Sequence, residues 1–511
     1  MIKRVLWVLA GLVAVLVAVL AVNTLRQGSR QLNVPAVAPV VVDEKGVAER
    51  LGGAIRFQTI ASRDDPDANA AEFRKLHEYL QQRYPKAHAA LKREVVGGYS
   101  LLYTWSGTDP AAKPILLLAH QDVVPVSPGT ESKWEVPPFS GEIKGGYIWG
   151  RGSWDDKGNL IAQMEAVEML VASGFKPRQT IYLAFGHDEE ISGLRGAVEI
   201  AKLLQSRGVK LDFVLDEGLL ITEGIMPGLA KPAALIGIAE KGFLSMVLKV
   251  PATPGHSSMP PPRGSSAIGM MSAALRRLDD EQLPGGIRGV AHELFATLAP
   301  EMGGFQRVAL SNLWLFGPVV QAQLEKGAST NALLRTTTAL TVVKAGNAEN
   351  VIPGLAEAVV NFRLLPGDTI ASVTEHVRQK AGSDRFELIA LPGAAEASPV
   401  SPTASSSYQL INRTMRQLFP DVLVAPGLMV AATDSRHFTA LSDHIYRFSP
   451  VRAKPEDLSR FHGTNERIAI TNLGEVVRFY HQLLMNTTPE APAAPPPQGG
   501  ATSGPAKPVP R

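Results

Sequence analysis

The stretch "TIYLAFGHDEE", residues 180–190, decides how this sequence reads. The apolar run Ile181 to Phe185 stops abruptly at four ionisable side chains, His187-Asp188-Glu189-Glu190. A short continuous apolar run bounded by glycine reads as a strand covered on both faces. A row of charges at the end of such a strand is costly unless something compensates it.

Working outward, "PILLLAH" (114–120) and "DFVLDEG" (212–218) are runs of the same kind. Between them, "NLIAQMEAVEMLVASG" (159–174) and "GLRGAVEIAKLLQSRG" (193–208) carry apolar residues at helical spacing and end at glycine. Strand–helix–strand order predicts an α/β domain with a mostly parallel sheet. Each strand ends in possible ligands: His120 and Asp122, then Glu189 and Glu190, then Asp216. "GRGSWDDKG" (150–158) adds Asp155 and Asp156 in a glycine-bounded loop before a helix. Any one of these alone fits a solvated loop, a carboxylate-held histidine or a helix cap. Three of them at the carboxyl ends of one sheet, where such folds bind ligands, predict divalent cations that offset the carboxylate repulsion. Two ions are expected.

Composition narrows the chemistry. The chain has 511 residues, 45% hydrophobic, and a net charge of +3 from 51 basic and 48 acidic residues. No long basic run is present, which argues against a nucleic-acid partner. With no cysteine, disulfides, thiolate metal sites and a cysteine nucleophile are excluded, so any metal must use His, Asp and Glu.

Val5 to Val22 carries no charge and follows Lys3 and Arg4. As a helix it would be about 27 Å long, against roughly 30 Å for a bilayer core. Residues 1–23 are therefore read as a transmembrane signal anchor, with a cleaved signal peptide as the alternative. Either sends the rest of the chain across the membrane, to a periplasmic, extracellular or lumenal side. Residues 24–44 read as a linker. The Pro-, Ala- and Gly-rich residues 487–511 read as disordered.

Residues 241–397 have a different grammar: strand "GFLSMVLKVPA", helix "SAIGMMSAALRRLDD", strand "TNALLRTTTALTVVKAG", strand "AEAVVNFRLLPG", helix "TIASVTEHVRQKAG", strand "FELIALPG". That βαββαβ order predicts a ferredoxin-like lid. It interrupts a catalytic domain formed by residues 45–240 and 398–486.

The blocks "HQDVVPV", "GRGSWDDKG", "GHDEEISG", "LDEG", "PGHSSMPP", "NVIPGLAEAVVNFRLLPG" and "FHGTNERI" follow one another in this order. Together they resemble the M20 metallopeptidases, such as carboxypeptidase G2 and aminoacylase-1. The carboxypeptidase S branch, which includes secreted N-acyl amino acid hydrolases, is the most similar. The resemblance implies one metal held by His120, Asp155 and Asp216, and a second by Asp155, Glu190 and His462, with Asp155 bridging. It implies Asp122 as the residue orienting His120, and Glu189 as general base. His256, in the lid, would reach the oxyanion, and Asn331 and Arg363 would hold a substrate carboxylate. Zinc is the ion implied, and cobalt or manganese suits the same donors. The substrates implied are small and carboxylate-bearing, with C-terminal peptide bonds or N-acyl amino acids; the reverse condensation is also open. A homodimer through the lid is implied too.

The sequence departs from that family at Ala431-Ala432-Thr433-Asp434, where Gly-Gly-Thr-Asp is usual. The added methyl groups leave substrate specificity open. Two other classes compete. A catalytically inactive peptidase fold that binds ligands at the membrane would have lost its base or a ligand. A single-metal esterase or deacylase would differ in metal count.

Overall fold

The computed structural model describes residues 1–226 and 228–488; residues 489–511 of the expected disordered tail lie outside the described residues. The chain opens with helix α1 (Ile2–Arg26), long and apolar enough to cross a membrane and with its apolar side chains exposed, in agreement with the apolar span read from the sequence.

The apolar runs become strands of an eight-stranded sheet. Its first six strands are β1 (Lys92–Val96), β2 (Ser100–Trp105), β3 (Ile115–His120), β4 (Ile181–Gly186), β5 (Val214–Thr222) and β6 (Ala233–Glu240). Side chains alternate across a strand, and here both faces are used. Ile115 and Leu117 join the core of helix α2 (Lys157–Ala172), whereas Leu116 and Leu118 join that of helix α3 (Ala197–Ser206). All six residues of β3 are therefore buried.

After β6 the chain builds a second unit. It comprises β7 (Gly242–Pro251), α4 (Ala267–Asp280), then helices α5 (Gly289–Leu298), α6 (Gly304–Ser311), α7 (Leu313–Leu324) and α8 (Ala328–Leu334), then β8 (Thr337–Ala345), β9 (Leu355–Leu364), α9 (Ile370–Ala381) and β10 (Glu387–Ala390). The four strands form an antiparallel sheet in the order β8-β9-β7-β10. Every second residue of β7 and β9 is buried, so one face takes α4 and α9 through Leu244, Met246, Val360, Met271 and Val377. The order of these strands with α4 and α9 is βαββαβ, and helices α5–α8 are inserted after α4. The segment 330–336 was expected to begin a strand, but most of it is helical, in α8. Nor do α5–α8 join the lid core. Leu294 and Leu298 of α5 pack instead with Leu423 and Ala425 of the next strand, β11 (Leu423–Met429), on the main sheet.

The chain returns through β11, β12 (Ile445–Ala453) and α10 (Ile470–Asn486). The main sheet runs β1-β2-β4-β3-β5-β12-β6-β11. Its central strands β4, β3, β5 and β12 are parallel, while the β1–β2 and β2–β4 pairs are antiparallel. The segment read as a linker is tied down: the Gln31 side-chain amide brackets the backbone of Val424 on edge strand β11, at 2.7 and 3.0 Å.

Candidate metal centre

The carboxyl ends of β3 and β4 and the first half of β5 bring ionisable residues together. His120 Nε2 lies 2.8 Å from Asp155 Oδ1, and His462 Nε2 lies 2.8 Å from Asp155 Oδ2. One carboxylate thus spans two imidazoles. His462 Nε2 is also 3.3 Å from Glu190 Oε2, and His120 Nε2 is 3.4 Å from Glu217 Oε1. Possible ligand atoms of His120, Asp155 and Glu190 fall within 4.8 Å of one another, as do those of His120, Asp156 and Glu217.

Buried hydrogen bonds hold these groups in place. Asp122 is wholly buried, and its two carboxylate oxygens accept from the backbone N–H groups of Glu189 and Glu190. Its Oδ1 is also 3.3 Å from His120 Nδ1. The loop before α2 is held by Glu466, whose Oε1 accepts from the N–H groups of Gly152, Trp154 and Asp155, while Oε2 accepts from Arg151 at 2.6 Å. Asp156 stands at the N-cap of α2 but caps nothing; its oxygens accept from the His120 N–H and the Asn159 amide. His462 takes a left-handed backbone, φ 56°, and its ring stacks on Phe461 at 4.5 Å.

The electrostatics are those of too many carboxylates. Burial, with help from Asp434, Glu217 and Glu190, raises Glu189 well above the usual carboxylate range. Burial and the nearby Asp155 push Glu217 up to about 8. Burial opposes charge on His120, but Asp122, Asp155 and Glu217 outweigh it and raise the imidazole well above its ordinary value. For His462 the same contest, decided by Asp155 and Glu190, ends at about 10. Glu190 Oε1 is buried and has no hydrogen-bond partner among the described residues. Excess buried negative charge, imidazole nitrogen and an unpartnered carboxylate oxygen form the donor set that divalent cations fill.

Two neighbours on β5 differ in their partners. Glu217 lines a cleft and lies 3.4 Å from His120 Nε2. The Asp216 carboxylate accepts from the backbone N–H groups of Glu217 and Ser435. Asn331 lies on α8 and is not among the residues lining the cleft. His256 is exposed on a short strand paired with Val351–Ile352, its Nδ1 bonded to Ser258 Oγ at 2.8 Å. It too is absent from the cleft lining.

Arg363 does line the cleft, a space of about 650 Å³ that also contains Glu189, Arg63 and Arg436. Its guanidinium sits 4.9 Å over the Phe243 ring. Ala431 and Ala432 form part of the same wall. Sequence reasoning had no role for Glu217, Glu466 or Arg436. The first two sat in quoted blocks, "LDEG" and "FHGTNERI", where a neighbouring residue drew the assignment.

Comparison with known proteins places this geometry. Residues 116–486 match the model of peptidase family M20/M25/M40. A carboxypeptidase S-like protein of Dictyostelium discoideum is 42% identical over 490 residues, 94% of this chain and 93% of that protein. The N-fatty-acyl-amino acid synthase/hydrolase of Xenopus tropicalis is 43% identical over 490 residues, 94% of each. Among solved structures, an M20 family metallo-carboxypeptidase from Sulfolobus solfataricus superposes with a TM-score of 0.61 at 18% identity. The match covers 88% of this chain and 99% of that one. The chain belongs to peptidase family M20/M25/M40, a family of metal-dependent amide hydrolases that includes dinuclear metal-binding peptidases.

Proposed function

We propose that this enzyme hydrolyses N-acyl amino acids at a two-metal centre in which Glu217, not Asp216, completes the first site. His120, Asp155 and Glu217 would hold one ion, and Asp155, Glu190 and His462 would hold the other. Zinc suits these nitrogen and oxygen donors, and cobalt or manganese is compatible. When bound, the ions would supply Lewis acidity to this site. Glu189, which lines the cleft beside Glu190, takes a proton from water as the water oxygen bonds to the amide carbonyl carbon, and delivers it to the departing amine nitrogen. The amide C–N bond breaks, and a carboxylic acid and a free amino acid result. Asp122 orients His120 and fixes the turn bearing Glu189.

The observation that carries the substrate class is the placement of Arg363 in the same cleft as Glu189. A planar guanidinium suits bidentate recognition of a substrate carboxylate. Arg436 and Arg63 add positive charge to that wall. C-terminal peptide bonds present the same carboxylate and remain the second substrate class. For His256 to serve the oxyanion, the lid must close or a second copy must present it. Exposed Leu340, Val342 and Val343 on strand β8 suit such a homodimer. Helix α1 attaches the catalytic unit to a membrane, with a signal peptide as the alternative. The test compares Arg363→Ala with the parent on N-acetyl-phenylalanine. A KM raised at least tenfold supports the assignment, and an unchanged KM overturns it.

A further inference from the structure

A second cavity of about 920 Å³ lies beside the metal cleft. Its lining is mainly apolar, with Ile225, Leu294, Phe295, Met302 and Leu333 as representative walls and Lys326 as the charged residue. Leu219 and Val430 line both this cavity and the metal cleft, so the two spaces share a wall. Leu219 is two residues beyond Glu217 on β5. A cavity of this size, mainly apolar and, among the described residues, with the single charge of Lys326 on its walls, suits a flexible hydrocarbon chain rather than a polar ligand.

The outer wall is α6 and α7, in the segment that the lid order did not anticipate. Helix α7 carries no charged residue, and its Trp314 and Val319 are 60% and 67% exposed. Phe305 of α6 is 65% exposed. Phe305 and Val319 also line the cavity, so the same side chains face both the solvent and the interior. Large exposed apolar side chains clustered on two consecutive helices mark an interaction surface.

Helix α1 identifies what that surface meets. Asn312, wholly buried between α6 and α7, donates to Thr24 Oγ1 at 3.2 Å and accepts from the Asn23 amide at 3.0 Å. Gln27 Nε2 donates to the Ser311 carbonyl at 3.4 Å. The end of the apolar helix is therefore bonded to the junction of the two helices that wall the cavity. A membrane holding α1 would lie beside the junction of α6 and α7.

We propose that the second cavity holds the acyl chain of the substrate and is filled laterally from the bilayer, past the exposed face of α6 and α7. This deepens the N-acyl amino acid reading and rests on it for the substrate's polar end. The chain would enter between Phe305 and Val319, pass Leu219 and Val430, and leave its amide at Glu189.

The test uses the full-length chain in phosphatidylcholine vesicles, with three readouts. Palmitate binding is measured directly. The kcat/KM is compared for N-acyl-phenylalanines from acetyl to palmitoyl. Quenching of tryptophan fluorescence by brominated phosphatidylcholine is compared between the parent and Trp314→Phe. The cavity predicts palmitate binding, and kcat/KM, referred to the substrate free in water, rising with chain length by up to roughly four-fold per methylene until the space is full. Leu333→Trp, which plugs the cavity, should abolish palmitate binding and flatten the series; its unfolding midpoint and metal content serve as folding controls. The bilayer route predicts that the parent loses part of its lipid quenching on Trp314→Phe. A flat series, or palmitate binding indifferent to Leu333→Trp, overturns the cavity assignment. Equal quenching of the two proteins overturns the bilayer route. Palmitate binding without hydrolysis of any N-acyl-phenylalanine would support the cavity and refute the amide-hydrolase reading, so the two failures are distinct.

Discussion

The backbone N–H of Glu189 donates to Asp122 Oδ1 at 3.2 Å. The same carboxylate accepts from Glu190 and approaches His120, so one acid links the end of β3 to the end of β4. Replacing it with asparagine puts an NH2 group where an oxygen must accept. Asp122→Asn should weaken metal affinity by roughly 10- to 100-fold, the usual cost of losing a residue that orients a ligand. Metal titration followed by activity would check this.

The two neighbours on β5 should separate cleanly. Glu217→Gln removes a charge facing His120 and should leave about one ion per chain where the parent holds two. Asp216→Asn should keep both ions, because its oxygens serve the Glu217 and Ser435 N–H groups. Elemental analysis of both variants decides between them.

Glu466 supports the site from behind. It is wholly buried, with Arg151 and three backbone N–H groups as partners. Glu466→Ala strands a buried guanidinium and should cost about 3–5 kcal/mol of stability. Denaturant unfolding, compared with the parent, measures it.

Lys241 links the main sheet to the lid, and its ammonium donates to the carbonyls of Ala332 and Arg335. Burial, reinforced by Arg363, lowers it to about 7 from an ordinary value near 10.5. Between those values the unfolded chain holds more protons than the folded one, so stability rises with pH across that window. Unfolding midpoints at pH 7, 8 and 9 should show the parent gaining on Lys241→Met as pH increases.

Much of the fold was legible because its signals are local. β3 and β4 announce themselves as apolar runs, and α2 and α3 as helical periodicity. The alternation in β7 and β9 is equally plain. What escaped depends on distant partners. Nothing in "LDEG" says which of two adjacent acids faces inward, since that is set by the pairing of β5 with β3 and β12. Residues 330–336 combine β-branched and helix-favouring residues, and the packing of Leu333 and Leu334 against the apolar clusters beneath the inserted helices favours helix there. Helices α5–α7 were missed because their apolar faces answer to strand β11, over a hundred residues later in the chain, and to the surface beside α1.

The central claim is a two-metal centre served by Glu189. Metal per chain and turnover of N-acetyl-phenylalanine should be measured on the full-length parent and on Glu189→Gln. The account predicts about two divalent ions in both proteins, with turnover in the variant lower by about 10²- to 10⁴-fold. A Glu189→Gln enzyme as active as its parent, or an active parent holding a single ion, would contradict it.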